Sequence, residues 1–181
     1  LMIYNQERFL ENKNVIRMGI GLHLGSLIMG ITGDEQRLDA ATISDTVNVV
    51  ARIESLTKHY GVNILLSEEF YGQLKNKAAF NFRYLGNVLV KGKQQTVGVY
   101  ECIDGESSGQ LELKKQTLPH FKKGLQHYLA QEFAEAIVAF DLILEKNPDD
   151  RTATFFSDKA IHFLSSPVEA DWSGVEKMDW K

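Results

Sequence analysis

The sequence has few of the features that would place a protein outside the cell, in a membrane or on nucleic acid. Its single cysteine, Cys102, excludes an internal disulfide and fits a reducing compartment. The chain contains no run of about 18 apolar residues and no signal peptide, so we expect a soluble, cytoplasmic protein with no membrane segment. The formal net charge of −4 argues against non-specific binding of nucleic acid.

Patterns typical of metal centres and dinucleotide loops are also missing. The histidines show no metal-ligand spacing, and we interpret each of them as a packed or solvated side chain. They are His23, His59, His120, His127 and His162. The glycines between Gly19 and Gly25 lie within a strand-like run rather than before a helix, which makes a dinucleotide-binding loop unlikely.

The chain is long enough for one sizeable domain and a smaller one. It has 181 residues, and its hydrophobic content of 44% suits a globular core. Residues 1–103 carry 11 Lys and Arg against 10 Asp and Glu, whereas residues 104–181 carry 9 against 14. This change of charge suggests two units. Because the chain begins at Leu1, in what looks like the last turns of a helix, we expect it to be a piece of something longer.

Strand and helix patterns alternate over the first unit. Residues 15–24 and 27–31 are strand-like, and the Gly25-Ser26 connection between them favours a hairpin. Residues 34–42 are predicted to be a loop. Further on we expect a buried strand at 62–66, a helix from Ser67 to about Leu74, and strands at 80–91 and 96–103. Together these elements predict an α+β fold with helices packed on one side of a sheet.

Between that loop and the buried strand, residues 43–60 have the pattern of a helix packed on a core. At 100° per residue an apolar stripe falls on one face. Its members are Val49, Ile53, Leu56 and Tyr60. Ser44 or Asp45 can cap the N-terminus of this helix, and Gly61 is expected to end it.

A second stripe of the same helix begins with Asn48 and Arg52, about 100° round from the apolar stripe. Such a pair is most often simply solvated. Held four residues apart on a rigid helix, however, an amide and a guanidinium can bind an anionic oxygen with charge-assisted hydrogen bonds.

The residues around this pair resemble a known family. Residues 45–55 resemble the D-x-V-N-x-A-S-R-x-E helix of the class III nucleotidyl cyclases, enzymes that close ATP or GTP into a 3′,5′-cyclic nucleotide. Residues 17–25 resemble the arginine- and glycine-containing strand of that family. Residues 90–93 and 99–101 resemble its V-K-G-K motif and its closing strand. All of these matches occur in the family's order, which makes the resemblance specific.

The resemblance implies that residues 1–103 are the C-terminal part of a ferredoxin-like catalytic domain of an adenylate cyclase. Such an enzyme converts ATP to 3′,5′-cyclic AMP and pyrophosphate in intracellular signalling. By resemblance, Arg52 would stabilise charge on the transferring phosphorus, Asn48 would orient the ribose, and Lys91 would contact the phosphates.

This sequence departs from the family's pattern at one position, and some features of the family are missing from it. The family holds Mg²⁺ or Mn²⁺ with two aspartates from a segment that would precede Leu1, so we assign no metal ligand and expect this chain alone to be inactive. Family sites form between two catalytic domains, so a second cyclase domain, in a homodimer, is the expected partner. The base-selecting position, usually Asp or Thr, is Ala41 followed by Thr42, which predicts a reduced preference for ATP over GTP.

The second unit has helical patterns. Residues 104–116 are predicted to be a polar Gly/Ser-rich linker. Residues 117–166, with Pro119 at a helix start and a third helix at about 151–164, resemble a tetratricopeptide repeat. One repeat cannot bury its apolar face alone, so we expect it to pack on the first unit or on a second chain, and it could bind a protein partner. Residues 167–181 are predicted to be an acidic tail.

Three interpretations therefore remain open. In the first, the chain is part of an active adenylate cyclase. In the second, it is a degenerate cyclase-like module that regulates an active partner or senses a nucleotide, and Ala41 at the base-selecting position is the sign of that degeneration. In the third interpretation the helical tail has the main function, in protein interaction, beside a vestigial sheet. Two aspartates in the family's metal context upstream of Leu1 would favour the first.

Overall fold

The computed structural model describes residues 1–33, 38–89, 96–169 and 171–177. The first elements are helix α1 (Met2–Leu10), strands β1 (Ile20–Leu22), β2 (Ile28–Gly33) and β3 (Leu38–Ile43), helix α2 (Asp45–Tyr60), strand β4 (Ile64–Ser67) and helix α3 (Glu68–Gln73). They are followed by strands β5 (Phe82–Leu89) and β6 (Thr96–Cys102), helices α4 (Ser108–Leu129), α5 (Phe133–Lys146) and α6 (Arg151–Ser165), and strand β7 (Glu176–Lys177). None of the described helices is long and apolar enough to span a membrane.

The main sheet mixes parallel and antiparallel pairs in the order β1-β4-β6-β5-β7. Strand β1 pairs in parallel with β4, and α2 supplies the crossover that a parallel pair requires. Strand β6 pairs antiparallel with both β4 and β5, and β7 adds to the far side of β5 in parallel. The predicted mixed α+β sheet is therefore confirmed.

The hairpin predicted at Gly25-Ser26 is wrong. Strand β2 pairs instead with β3. Residues 38–42, which we predicted to be part of a loop, and Ile43, which we placed in the helix pattern, therefore form a strand. The reason lies at Ser26, whose carbonyl accepts hydrogen bonds from the hydroxyls of Ser44 at 2.6 Å and Thr46 at 2.7 Å. These bonds fix the chain after β1 against the start of α2, where it cannot fold back on β1.

Helix α2 has the predicted termini and the predicted buried face. The Ser44 hydroxyl accepts from the backbone N–H of Thr46 at 3.0 Å, which caps the N-terminus. Gly61 ends the helix in the left-handed region, at φ +69°. The predicted apolar stripe is at most 1% exposed throughout: Val49, Ile53, Leu56 and Tyr60. This stripe packs α2 on the sheet.

Strand β1 lies directly against the backbone of α2. A β-carbon placed on Gly21 would be 2.6 Å from the Glu54 nitrogen and 2.8 Å from the Val50 oxygen. Real β-carbon contacts are longer, so only glycine permits this approach. The close approach fixes the distance between α2 and the edge of the sheet.

The predicted linker at 104–116 is wrong in part, because helix α4 begins at Ser108. Ser107 caps that helix, and Pro119, which we expected at a helix start, lies inside it. We predicted a linker because the stretch is polar. It is helical nevertheless, and it packs on the rest of the molecule through a few separate buried side chains. Lys114 and Thr117 are both less than 5% exposed.

The aromatic side chains of the three C-terminal helices pack on one another. Phe156 lies at the centre, with ring centroids 5.9 Å from Phe121, 5.2 Å from Tyr128 and 5.7 Å from Phe140. These rings belong to the same buried cluster as the apolar face of α2 and the inner residues of the sheet. The helices therefore pack against the first unit, which confirms that expectation.

A buried ionic network joins the sheet to the helices. Arg83 of β5 is 2% exposed and donates to Glu101 of β6 at 2.6 Å and to the Asp150 oxygens at 2.6 and 3.2 Å. Lys114 of α4 donates to Glu101 and to Glu106, each at 2.6 Å. Burial opposes ionisation of Asp150, but the charge and hydrogen bonds of Arg83 hold its pKa below the usual value. Separating sheet and helices would break two buried ion pairs, Arg83–Asp150 and Lys114–Glu101.

Part of the predicted acidic tail folds back onto the body. Trp172 packs edge-on against Tyr128 at 5.4 Å and Phe133 at 5.6 Å. The Glu176 carboxylate accepts from the Lys159 ammonium at 2.5 Å, which ties β7 to α6. The segment is thus part of the packed structure as far as Lys177.

Candidate active site

Asn48 and Arg52 lie one turn apart on the same flank of α2. Asn48 is exposed and Arg52 is half-buried. Strand β1 contacts the opposite flank, along Val50 and Glu54. The helix thus presents an amide and a guanidinium from a backbone that is fixed at its N-terminus and along its other side.

The same flank continues to His59, about two turns beyond Arg52. The His59 ring packs edge-on against Phe155 of α6, with centroids 4.6 Å apart. Burial and, secondarily, the charge of Lys159 lower the pKa of His59 to about 4. At neutral pH His59 is therefore uncharged, and on this flank the positive charge comes from Arg52. His59 is thus a packed side chain, one of the two alternatives that we gave for each histidine.

The other predicted site residues are placed less fully. Ala41 and Thr42 lie in β3, where they pair with Gly30 and Met29 of β2. They are therefore strand residues and not the loop residues we expected. Lys91 lies outside the described residues. The structure brings Asn48 and Arg52 together on α2.

The described part of the chain contains no cluster of side chains that could hold the metal ions used by the family that the sequence resembles. Within residues 1–33, 38–89, 96–169 and 171–177, no three His, Cys, Asp or Glu side chains are close enough to hold an ion. His23 lies nearest to such a pattern, with Nδ1 2.8 Å from the Ser67 hydroxyl and 3.7 Å from a Glu69 oxygen. One histidine and one carboxylate do not make a metal centre.

A large cavity of about 730 Å³ lies away from Asn48 and Arg52, between the end of α6 and the segment that follows it. Its wall includes Lys159, Phe163 and Trp172, and it reaches Leu89 and Thr96 at the ends of β5 and β6. It shares no lining residue with the Asn48–Arg52 flank. We therefore place the candidate active site on α2 and not in this cavity.

One contact beside the site could not be found by reading the sequence. The Thr152 hydroxyl, at the start of α6, donates to the carbonyl of Tyr60 at the end of α2, at 3.1 Å. The two residues are 92 positions apart. No local pattern signals such a contact, because the tertiary packing of α6 on α2 creates it.

Comparisons with known proteins identify the family of the chain. A family model for the adenylate and guanylate cyclase catalytic domain matches residues 1–101, which include β1, α2 and the whole Asn48–Arg52 flank. The chain belongs to this family. The match covers more than half of the 181 residues, and it ends in strand β6.

Individual relatives of this cyclase chain are adenylate cyclases. A terminal-differentiation-specific adenylate cyclase of Dictyostelium discoideum is 33% identical over 154 residues, which cover 83% of this chain and 7% of that relative. An adenylate cyclase of Anabaena cylindrica is 40% identical over 103 residues, which cover 54% of this chain and 20% of the relative. The chain thus spans a small part of the length of these relatives.

The similarity to the Dictyostelium relative covers more of the chain than residues 1–101, so it extends into the helices that follow the sheet. The solved structure of a bacterial light-regulated adenylyl cyclase matches 55% of this chain and 29% of its own, at 27% identity and a TM-score of 0.43. Family membership rests on the family model and not on this superposition.

Proposed function

We propose that the full-length protein is an adenylate cyclase that converts ATP to 3′,5′-cyclic AMP and pyrophosphate, and that this chain contributes Asn48 and Arg52 to its active site. The observation that carries the proposal is the juxtaposition of these two side chains, one turn apart on one flank of a firmly anchored helix. Membership of the cyclase family supports the reaction, and the names of the relatives support ATP as the substrate.

The reaction explains why these two side chains are suitable. The ribose 3′-oxygen attacks the α-phosphorus, the bond from that phosphorus to the pyrophosphate oxygen breaks, and the 3′-hydroxyl proton is lost. Negative charge spreads over the oxygens of the transferring phosphorus, where a guanidinium fork can stabilise it. Asn48 presents an amide one turn away, which can hydrogen-bond the ribose and hold the 3′-oxygen in line.

The remaining groups of the site are proposed by resemblance. Ala41 and Thr42 would lie at the adenine edge, and Lys91 would contact the phosphates. The family's Mg²⁺ or Mn²⁺ would be bound by residues other than those the structure describes, and a second cyclase domain, in a homodimer, would complete the site. The contribution of the described residues is thus to position the ribose and to neutralise charge.

The finer description of the fold is also a proposal. We propose that residues 1–103 form the C-terminal part of a ferredoxin-like domain and that the cyclase acts in the cytoplasm. Helices α4 and α5 would form a tetratricopeptide-like pair, which is supported by the close approach of Gly124 to Phe140, where a β-carbon would lie 2.9 Å from the ring. A protein partner could bind the outer face of that pair.

The substitutions Arg52→Ala and Asn48→Ala in the full-length protein test the assignment. Each is expected to lower kcat for cyclic AMP formation at least about tenfold, because it removes a group that acts on the transition state. The matched control is Ser55→Ala, which lies on the same flank and whose hydroxyl bonds only to the Ala51 carbonyl at 3.0 Å among the contacts described. Its turnover should stay within about twofold of wild type.

The outcome also separates the alternatives. Turnover is measured as cyclic AMP and pyrophosphate released from ATP, with circular dichroism to show that each variant is folded. Wild-type turnover in folded Arg52→Ala would overturn the assignment. If the unaltered full-length protein forms no cyclic nucleotide with either metal, the degenerate regulatory module becomes the better interpretation.

A further inference from the structure

Helix α6 contacts α2 at the end of the flank that carries Arg52. Phe155 packs against His59, which belongs to that flank, and against Tyr60, with a centroid distance of 5.2 Å. The Thr152 hydroxyl donates to the Tyr60 carbonyl, one of the last carbonyls of the helix. The start of α6 therefore contacts both side chains and backbone at the C-terminal end of α2.

The same point of α6 is itself anchored to the sheet. Asp150, which is fully buried, caps α6 by accepting from the Ala153 backbone N–H at 3.1 Å, and it accepts two hydrogen bonds from Arg83 of β5. The position of Thr152 is thus set by the central strands and not by the helical unit alone. A charge pair with this burial does not move without a large cost in free energy.

We propose that the start of α6 positions Arg52 for the reaction, with Thr152 as the positioning residue. The proposal rests on the role of Arg52 proposed above. Helix α2 is held at its N-terminus by the bonds of Ser44 and Thr46 to Ser26, and in its middle by β1 on the opposite flank. Thr152 and Phe155 add the contact at its other end, which restricts tilt and rotation of the helix.

It follows that helices α4, α5 and α6 are part of the structure that holds the active site in place. A helix behaves as a rigid rod over the two turns between Arg52 and His59, so a shift at its end moves the guanidinium. Misplacement of a catalytic group by about 1 Å can cost about 100-fold in rate.

The test uses isosteric substitutions in the full-length protein. Thr152→Val removes the hydroxyl and keeps the shape of the side chain. We expect it to lower kcat about two- to tenfold with little change in KM. The effect is limited because the loss of one hydrogen bond can change the equilibrium between positions of α2 only by the free energy of that bond. Thr152→Ser keeps the donor and should restore turnover. Thr154→Val is the matched control, since the Thr154 hydroxyl bonds to the Asp150 carbonyl within α6.

The decisive measurement combines Thr152→Val with Arg52→Ala. If Thr152 acts through Arg52, the substitution should have almost no further effect on kcat once the guanidinium is gone. An equal fold-loss in both backgrounds would mean that Thr152 only stabilises the fold, and an unchanged kcat in Thr152→Val would mean that it does not position Arg52. Either result overturns the inference.

The failure of the proposed function gives a different result. In that case Arg52→Ala alone keeps wild-type turnover, whatever Thr152→Val does. Impaired Arg52→Ala together with an additive effect of Thr152→Val leaves the assignment of Arg52 intact and removes only the inference about α6.

Discussion

The buried side chains that distinguish this protein are charged or polar and depend on one another. Arg83 is enclosed by Glu101, Asp150 and the ring of Phe121, which lies 4.1 Å from its guanidinium carbon. Burial alone would lower the pKa of Arg83, but the two carboxylates raise it above its ordinary value. Removing either carboxylate would therefore leave buried positive charge on Arg83 partly uncompensated.

His59 gives a prediction at the residue scale. Its pKa is about 4 in the folded chain, against an ordinary value of 6.5, because it is partly buried and lies near Lys159. Between pH 6.5 and 4 the unfolded chain binds the extra proton and the folded chain does not, so the free energy of unfolding should fall as pH decreases through this window.

Urea midpoints at pH 7 and pH 4.5 test this effect. Wild type should lose more stability between the two pH values than His59→Gln, which cannot titrate. His162→Gln, at an exposed histidine of α6, is the matched control and should behave like wild type. Equal losses in wild type and His59→Gln would contradict the prediction.

At the scale of elements, α2 is held by three different kinds of contact. Its N-terminus is fixed by hydrogen bonds to Ser26, its buried face by apolar packing, and one flank by a direct approach of β1 to its backbone. Asn48 and Arg52 lie on the flank opposite β1. The helix is thus held in place while it presents two polar side chains. Electrostatic stabilisation of a transition state requires such polar groups to be fixed in position before the reaction.

Gly21 tests the contact between β1 and α2. Gly21→Ala places a methyl group 2.6 Å from the Glu54 nitrogen, and since backbone cannot rotate away, α2 must shift. We expect a loss of about 1–3 kcal/mol in the free energy of unfolding, as for other overpacked sites. In β2, a β-carbon on Gly30 meets nothing within 4 Å, so Gly30→Ala should stay within about 0.5 kcal/mol of wild type. Urea denaturation of both variants is the measurement, and equal effects would contradict the prediction.

At the scale of the molecule, the sheet and the C-terminal helices share one core and one ionic network. The buried cluster runs from Val49 on α2 and Leu85 on β5 to Phe140 on α5 and Phe156 on α6. A single core of this kind normally unfolds in one cooperative transition. The family match, which ends at residue 101, therefore does not coincide with a boundary of packing.

Two spectroscopic probes test whether the molecule unfolds as one unit. The first probe is tryptophan fluorescence: the two tryptophans of the sequence, Trp172 and Trp180, lie in the C-terminal segment, and Trp172 packs on α4 and α5. The second probe is far-UV circular dichroism, which reports on all helices and strands. The two probes should give the same urea midpoint in this chain. Asp150→Ala, which leaves Arg83 uncompensated, should lower both midpoints together, with a loss of about 3–5 kcal/mol. A tryptophan transition that precedes the other would show an independent helical domain.

The sequence alone was sufficient wherever the structure depends on local patterns. The apolar stripe, the Ser44 cap and the Gly61 end of α2 each follow from the residues of the helix itself, so the placement of Asn48 and Arg52 on one flank was predictable. The motif order that indicates the cyclase family is also a property of the sequence, and the family model confirms it.

What the sequence could not determine was which segments meet. A two-residue Gly-Ser connection is compatible with a hairpin, and only the bonds of Ser44 and Thr46 to Ser26 direct β2 toward β3. The Gly/Ser-rich stretch before residue 117 is polar, yet the buried ionic network that holds Lys114 makes it part of α4. Contacts between distant residues, such as Thr152 and the Tyr60 carbonyl, arise from packing, because no local pattern encodes a partner 92 residues away.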